Sequence, residues 1–188
     1  ILDLMPQEPY RKTVRHYNIE GHAHSLTWSC LRRQPFFARP RTCQWLVESI
    51  LQAKAQHAFD IWAYVFMPEH VHLVLLPHDG VTIGRILKEI KQPVTVMALR
   101  HVRDHAPQFL KRMADVQPNG RRSHRFWQRG GGYDRNLRSV ADVHEKITYL
   151  HENPVRRGLV SHPQDWPWSS WQAWHEGTDA PLRIDRHS

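Results

Sequence analysis

Two histidines separated by one residue, His70 and His72, and a distant tyrosine, Tyr149, carry the chemistry that this sequence offers. The first pair lies in Phe66-Met67-Pro68-Glu69-His70-Val71-His72-Leu73-Val74-Leu75-Leu76. Alternation along a β-strand puts both imidazoles on one face and Val71 on the other. Two imidazoles on one rigid surface make two thirds of a small metal site. The tyrosine lies in Ile147-Thr148-Tyr149-Leu150-His151-Glu152-Asn153-Pro154-Val155. On a helix, Tyr149 and Asn153 are four positions apart and share a face. Neutral tyrosine is a poor nucleophile, since its pKa is about 10. A divalent metal beside it polarises a phosphate oxygen and stabilises the charge that builds up during attack. His70 and His72 offer two ligands for such a metal, and the side-chain oxygen of Asn153 offers a third. A set of two imidazoles and one amide suits Mn²⁺ at least as well as Mg²⁺. Each residue also has a plainer reading. The histidines can be structural, Tyr149 can be buried against a sheet, and Asn153, standing before Pro154, can cap or end its helix.

The elements that must position these residues follow from the pattern. Residues 1–13 read as irregular, with Pro6 and Pro9. Gly21 to Cys30 reads as a first strand, ended by Arg32-Arg33-Gln34-Pro35. Apolar residues from Thr42 to about His57 recur at helical spacing behind Pro40. Phe59 to Met67 and His70 to Leu76 are strands around a Pro68-Glu69 break, which predicts an antiparallel hairpin with the histidines opening an interior strand. Pro77 and an Asp79-Gly80 turn close it. Ile83 to His101 is helical in pattern, with Pro93 expected to kink or interrupt it. Residues 104–124 read as a polar, basic connection, Arg125 to Gln128 as a short strand, and Gly130-Gly131-Gly132 as a flexible break. Val140 to about Arg157 is the last clear helix, and the tail holds Trp166, Trp168, Trp171 and Trp174. This order predicts an α+β fold, with a ferredoxin-like or RRM-like antiparallel sheet and helices packed on one face.

The chain has 188 residues, which predicts a single domain, and a formal net charge of +8, which favours a polyanionic partner. No apolar run is long enough to span a bilayer, and no secretory signal is visible. The only cysteines, Cys30 and Cys43, form no CxxC, so a zinc ribbon is excluded and reduced thiols are expected. Together these predict a cytoplasmic, nucleoid-associated protein.

"FMPEHVHLVL" followed downstream by "YLHENPVRRGLV" resembles the HUH single-tyrosine transposases, and most closely their REP-associated branch. Arg15 to Phe37 resembles that family's first strand and its basic exit. "FWQRGGGYDRNLRS" resembles the segment before the tyrosine helix, and "DWPWSSW" the C-terminal signature. The likeness spans Val14 to Trp174. It implies His70, His72 and Asn153 as ligands of Mg²⁺ or Mn²⁺ and Tyr149 as the nucleophile. It implies single-stranded or hairpin DNA as substrate, such as repeated extragenic palindromes, cut through a 5′-phosphotyrosine link that releases a 3′-OH and is later reversed. Such relatives work as homodimers or monomers. The glycine run and the basic Asn119 to Arg125 stretch depart from the pattern. The rival reading is a domesticated hairpin DNA- or RNA-binding protein without chemistry.

Other residues need weighing. Arg121, Arg122, Arg125, Arg135, Arg138, Arg156 and Arg157 are expected to form a DNA-binding face. His22 and His24 also form an HxH, read as surface or DNA-facing. Tyr64 is read as core or sheet face, Tyr133 as a loop residue, and His151 as a solvent or DNA contact. Glu69 and Glu152 flank the site. The tail tryptophans either pin the tail or stack on bases.

Overall fold

The computed structural model describes residues 18–78, 80–117, 119–178 and 181–185. The irregular opening read at residues 1–13, the start of the resemblance at Val14 and Arg15, and Asp79 of the turn lie outside the described residues. The core is a four-stranded antiparallel sheet in the order β2-β3-β1-β6. Its strands are β1 (Ala23–Ser29), β2 (Phe59–Met67), β3 (His70–Pro77) and β6 (Tyr133–Leu137). A separate hairpin holds β4 (Ala114–Val116) and β5 (Arg122–His124). The helices are α1 (Pro40–Gln56), α2 (Ile83–His105), the short α3 (Leu110–Met113), α4 (Val140–His151), α5 (Asn153–Arg156) and α6 (Trp171–His175). The core therefore runs β1-α1-β2-β3-α2-β6, the β-α-β-β-α-β order of ferredoxin-like folds.

Alternation on β3 divides the core in two. Val71, Leu73 and Leu75 join Leu26 and Trp28 of β1 against Leu46 and Ile50 of α1 and Ile86, Ile90 and Val94 of α2. Val74 faces the other way and joins Ala63, Val65 and Met67 of β2 against Ile147 and Leu150 of α4. The α+β class and the antiparallel sheet are as the sequence predicts. The long pair α1 and α2 covers one face, and the tyrosine helix lies on the opposite one.

Three expectations are corrected. First, α2 runs through Pro93 to His105 without a break. Its buried stripe, Ile83, Ile86, Leu87, Ile90, Val94 and Ala98, offsets the one backbone donor that proline lacks. Second, residues 104–124 are not a plain connection, because they hold α3 and the β4–β5 hairpin. Third, Arg125 to Gln128 is not a strand. Phe126 and Trp127 plug the core there, with Trp127 making a single bridge to Cys30. The fourth strand of the sheet is instead β6, just after the glycines. The last helix covers the range read for it with one interruption at Glu152, as α4 ends at His151 and α5 runs from Asn153 to Arg156.

The tail folds back along the outer edge of β2. Phe66 N–H donates to the Trp168 carbonyl, Ser170 N–H to the Tyr64 carbonyl, and Asp185 N–H to the Ile61 carbonyl. The indole N–H groups of Trp166 and Trp174 donate to the carbonyls of Phe66 and Trp62. The tail tryptophans thus serve packing, as the plainer reading held. Tyr64 is buried, and its hydroxyl accepts from Leu182 N–H.

Candidate active site

The β2–β3 hairpin places the histidines. Its turn is only Pro68-Glu69, so Met67 pairs with His70, and Val65 and Thr27 flank His72 from either side. The two rings sit nearly perpendicular with centroids 4.6 Å apart, and their Nε2 atoms converge to 2.9 Å. His72 Nδ1 shares a 2.8 Å hydrogen bond with Thr27 Oγ1. That bond fixes the ring and turns Nε2 toward its neighbour. Glu69 Oε1 lies 3.2 Å from His70 Nδ1, without hydrogen-bond alignment, and accepts from Arg157 Nη1 at 2.7 Å. Arg33 Nη2 approaches the same oxygen at 3.5 Å.

Burial governs the charge state here. It lowers the pKa of His70, against the opposing pull of Glu69. It pushes His72 down to about 3, helped by His70, Lys146 and Arg33. Both rings are therefore neutral near pH 7, the state that a metal ligand requires. Glu69 stays ionised, because Arg157 and His70 outweigh the burial that would raise its pKa.

Ser139 caps α4 by accepting from Asp142 N–H at 3.1 Å. Ile147 and Leu150 anchor the helix to the sheet, which leaves Tyr149 on its flank, 46% exposed. Tyr149 is therefore not the buried helix tyrosine of the plainer reading. Cations flank its ring, with Lys146 Nζ 4.8 Å and Arg156 Cζ 4.3 Å from the centroid. Arg157, one residue on, reaches Glu69 and so ties the end of this helix pair to the histidines.

Asn153 acts here as a cap. Its Nδ2 donates to the carbonyls of Tyr149 and Leu150 at 3.1 and 3.0 Å, which closes α4. Its Oδ1 keeps its lone pairs. No hydrogen bond joins Asn153 to His70 or His72 among the described residues, and no group of three or more His, Cys, Asp or Glu side chains able to hold a metal ion forms there. The two converging Nε2 atoms could serve a divalent cation together with oxygen ligands, for which Asn153 Oδ1 is one candidate.

The seven arginines fall into groups. Arg156 and Arg157 border the tyrosine and Glu69. Arg135 is paired with Asp142 at 2.6 Å, and Arg138 precedes the Ser139 cap. Arg121 and Arg125 line a groove of about 670 Å³ against α2, with Lys88, Lys91 and Trp127, and Arg122 lies exposed on β5.

Three other readings change. His24 is not surface. It is fully buried on the α1/α2 side, with Nδ1 2.7 Å from Asp134 Oδ1. His151 is not a solvent contact either. It is buried against the tail, sharing a 2.9 Å hydrogen bond with Ser170 Oγ, and burial beside His175 pushes its pKa down to about 4. Tyr133 belongs to β6, not a loop, and lies opposite Thr27 on the histidine side. Sequence reasoning did not single out Thr27 or Lys146. Strand pairing supplies the first, and Lys146 stands three residues before Tyr149, a spacing that could have drawn notice.

Comparison with known proteins adds an independent line. The family model described as transposase IS200 like matches residues 17–130, which include the histidine pair and end before α4. The chain is 26% identical over 159 residues to the REP-associated tyrosine transposase of Escherichia coli (strain K12), covering 84% of this chain and 81% of that one. It is 26% identical over 121 residues to a putative REP-associated tyrosine transposase of Haemophilus influenzae, covering 64% and 63%. A solved REP-associated tyrosine transposase bound to a REP hairpin shares the fold, with a TM-score of 0.67 and 21% identity over 95% of this chain and 99% of that one. No helix among the described residues is long and apolar enough to cross a membrane.

Proposed function

The chain belongs to the IS200-like transposase family, and on that premise we propose that it cuts and rejoins single-stranded or hairpin DNA through Tyr149. The observation that carries this reading is the convergence of two neutral imidazoles on the face that the Tyr149 helix covers. The Tyr149 hydroxyl oxygen attacks a backbone phosphorus. A bond from Tyr149 Oη to phosphorus forms and the bond to the 3′ oxygen breaks, leaving a 5′-phosphotyrosine and a free 3′-OH. A second 3′-OH reverses the exchange, so no nucleotide cofactor is consumed.

His70 and His72, with the Asn153 oxygen, would hold Mg²⁺ or Mn²⁺. When bound, the cation polarises the scissile phosphate and neutralises charge that builds up on it. Thr27 orients His72, and Glu69 with Arg157 braces the His70 side. Arg156, Arg157, Arg135 and Arg138 would follow the strand near the tyrosine. Arg121, Arg122 and Arg125 would contact a more distant part of the same DNA. The hairpin partner is suggested by the REP hairpin of the related solved complex.

Incubation with a labelled DNA hairpin and Mn²⁺ is expected to give a covalent adduct that survives boiling in detergent. Tyr149→Phe should abolish the adduct while binding remains. Cutting without an adduct, or an adduct from the phenylalanine variant, sinks the reading. Tight binding by the wild-type chain with no cutting would favour the silent binder.

A further inference from the structure

Lys146 stands between residues already assigned to the reaction yet has no role in it. It lies one helical turn before Tyr149 on α4. Its Nζ is 4.8 Å from the Tyr149 ring centroid and 5.8 Å from that of Tyr133. Tyr133 pairs with Thr27 on β1, and Thr27 holds His72. The ammonium therefore occupies the strip of surface between the nucleophile's ring and the strand neighbours of the histidine pair.

A lysine on a helix flank ordinarily extends its ammonium into water. This one is half-buried and forms no ion pair among the described residues. The carboxylate of Asp142, one turn earlier on α4, accepts instead from Arg135 Nη2 and Arg138 N–H. Two ring faces remain as its neighbours, and such contacts are worth only about 0.5–1 kcal/mol each near a surface. Burial, and then Arg135, lower its pKa, although Asp142 and Glu145 pull the other way. A half-buried cation with no carboxylate in direct ion-pair contact among the described residues, beside an exposed nucleophile, suits an anion that arrives from outside.

We propose that Lys146 is a phosphate-binding residue of the cleavage site, its ammonium holding a non-bridging oxygen of the backbone phosphate that Tyr149 attacks. The proposal rests on the reading of Tyr149 as nucleophile. It adds a fixed positive charge supplied by the tyrosine helix itself, independent of any bound cation. The Tyr133 ring limits how far the lysine can swing away from that position.

The test separates binding from chemistry. In a Tyr149→Phe background, binding to a DNA hairpin with a single-stranded 5′ extension is measured across a salt series. Neutralising Lys146 (Lys146→Gln, with Lys146→Met to keep the aliphatic stem) should make the slope of log affinity against log salt shallower by about 0.7, the share of one single-strand phosphate. Lys146→Arg should leave that slope unchanged. With Tyr149 intact, Lys146→Gln should slow single-turnover adduct formation at saturating DNA about tenfold, consistent with loss of one electrostatic contact to the reacting group. Lys146→Arg should recover most of that rate. Equal slopes in all variants, or a wild-type rate for both neutral variants at saturating DNA, overturns the proposal. A wild-type chain that binds but never forms an adduct overturns the Tyr149 reading instead, and the slopes still decide whether Lys146 contacts phosphate.

Discussion

At the scale of single residues, the site depends on how an imidazole is held. Among the described residues Thr27 Oγ1 is the hydrogen-bond partner of His72 Nδ1, and it determines where Nε2 points. Thr27→Val keeps the shape and removes the hydrogen bond. Stability should fall by about 1 kcal/mol, the usual net worth of such a bond. Affinity for Mn²⁺, followed by calorimetric titration, should fall about 10–100-fold, as for other groups that orient a metal-bound histidine. An unchanged affinity would mean that His72 is held by its strand alone. The histidine pair and the tyrosine were legible in the sequence, because strand alternation and helical spacing are local rules. Thr27 was not, since only strand pairing brings it to His72. The second HxH shows the same limit. His24 obeys the same alternation as His72, but its strand turns it toward α1 and α2, where Asp134 receives it.

At the scale of elements, the glycine run between Trp127 and β6 sets the register of the fourth strand. Gly132 has φ +84°, and a Cβ there would stand 2.3 Å from the Thr27 carbonyl oxygen. That oxygen is backbone and cannot move aside cheaply. Gly132→Ala should therefore destabilise the protein by more than about 2 kcal/mol and loosen β6 from β1. Gly84, near the start of α2, has open space around its missing Cβ. Gly84→Ala should instead stabilise by up to about 1 kcal/mol. Urea midpoints for the two variants should move in opposite directions, and a shared direction refutes the geometric account. The hairpin, α1 and the start of α2 were legible from apolar periodicity. β6 was not, because Tyr-Asp-Arg-Asn-Leu is polar by composition. Its Asp134 side chain is buried against His24 of the neighbouring strand. The continuity of α2 through Pro93 was hidden for a related reason, since the packing that overrides a proline lies on another element.

At the scale of the whole molecule, the net positive charge is unevenly sheltered. Lys91 lies in the groove between α2 and the Trp127 segment, where its Nζ is 3.4 Å from the Gly130 carbonyl oxygen and 5.9 Å from the Trp127 ring. Burial, and then Arg125, push its pKa down to about 8. An unfolded lysine holds its proton to about pH 10.4. Between these values the unfolded chain binds more protons than the folded one, so this group's contribution makes stability rise as pH rises through that window. Below about pH 8 both states are protonated and the penalty is felt in full. Lys91→Met should flatten that rise in urea midpoints measured from pH 7.5 to 10, and an identical profile would refute the assignment. The overall class was legible from element order. That the sheet is covered on both faces was not, because the α4 stripe of Ile147 and Leu150 names no partner until β2 and β3 are in place. The strap that Trp166, Trp168, Ser170, Trp174 and Asp185 form along β2 carries a consequence in time. During synthesis the outer edge of β2 emerges long before the segment that covers it. Until Trp168 and Ser170 arrive, its amides and carbonyls are open to pairing with another nascent chain. The finished molecule is closed at that edge, so the hazard belongs to the ribosome-bound interval, and chaperone demand should concentrate there.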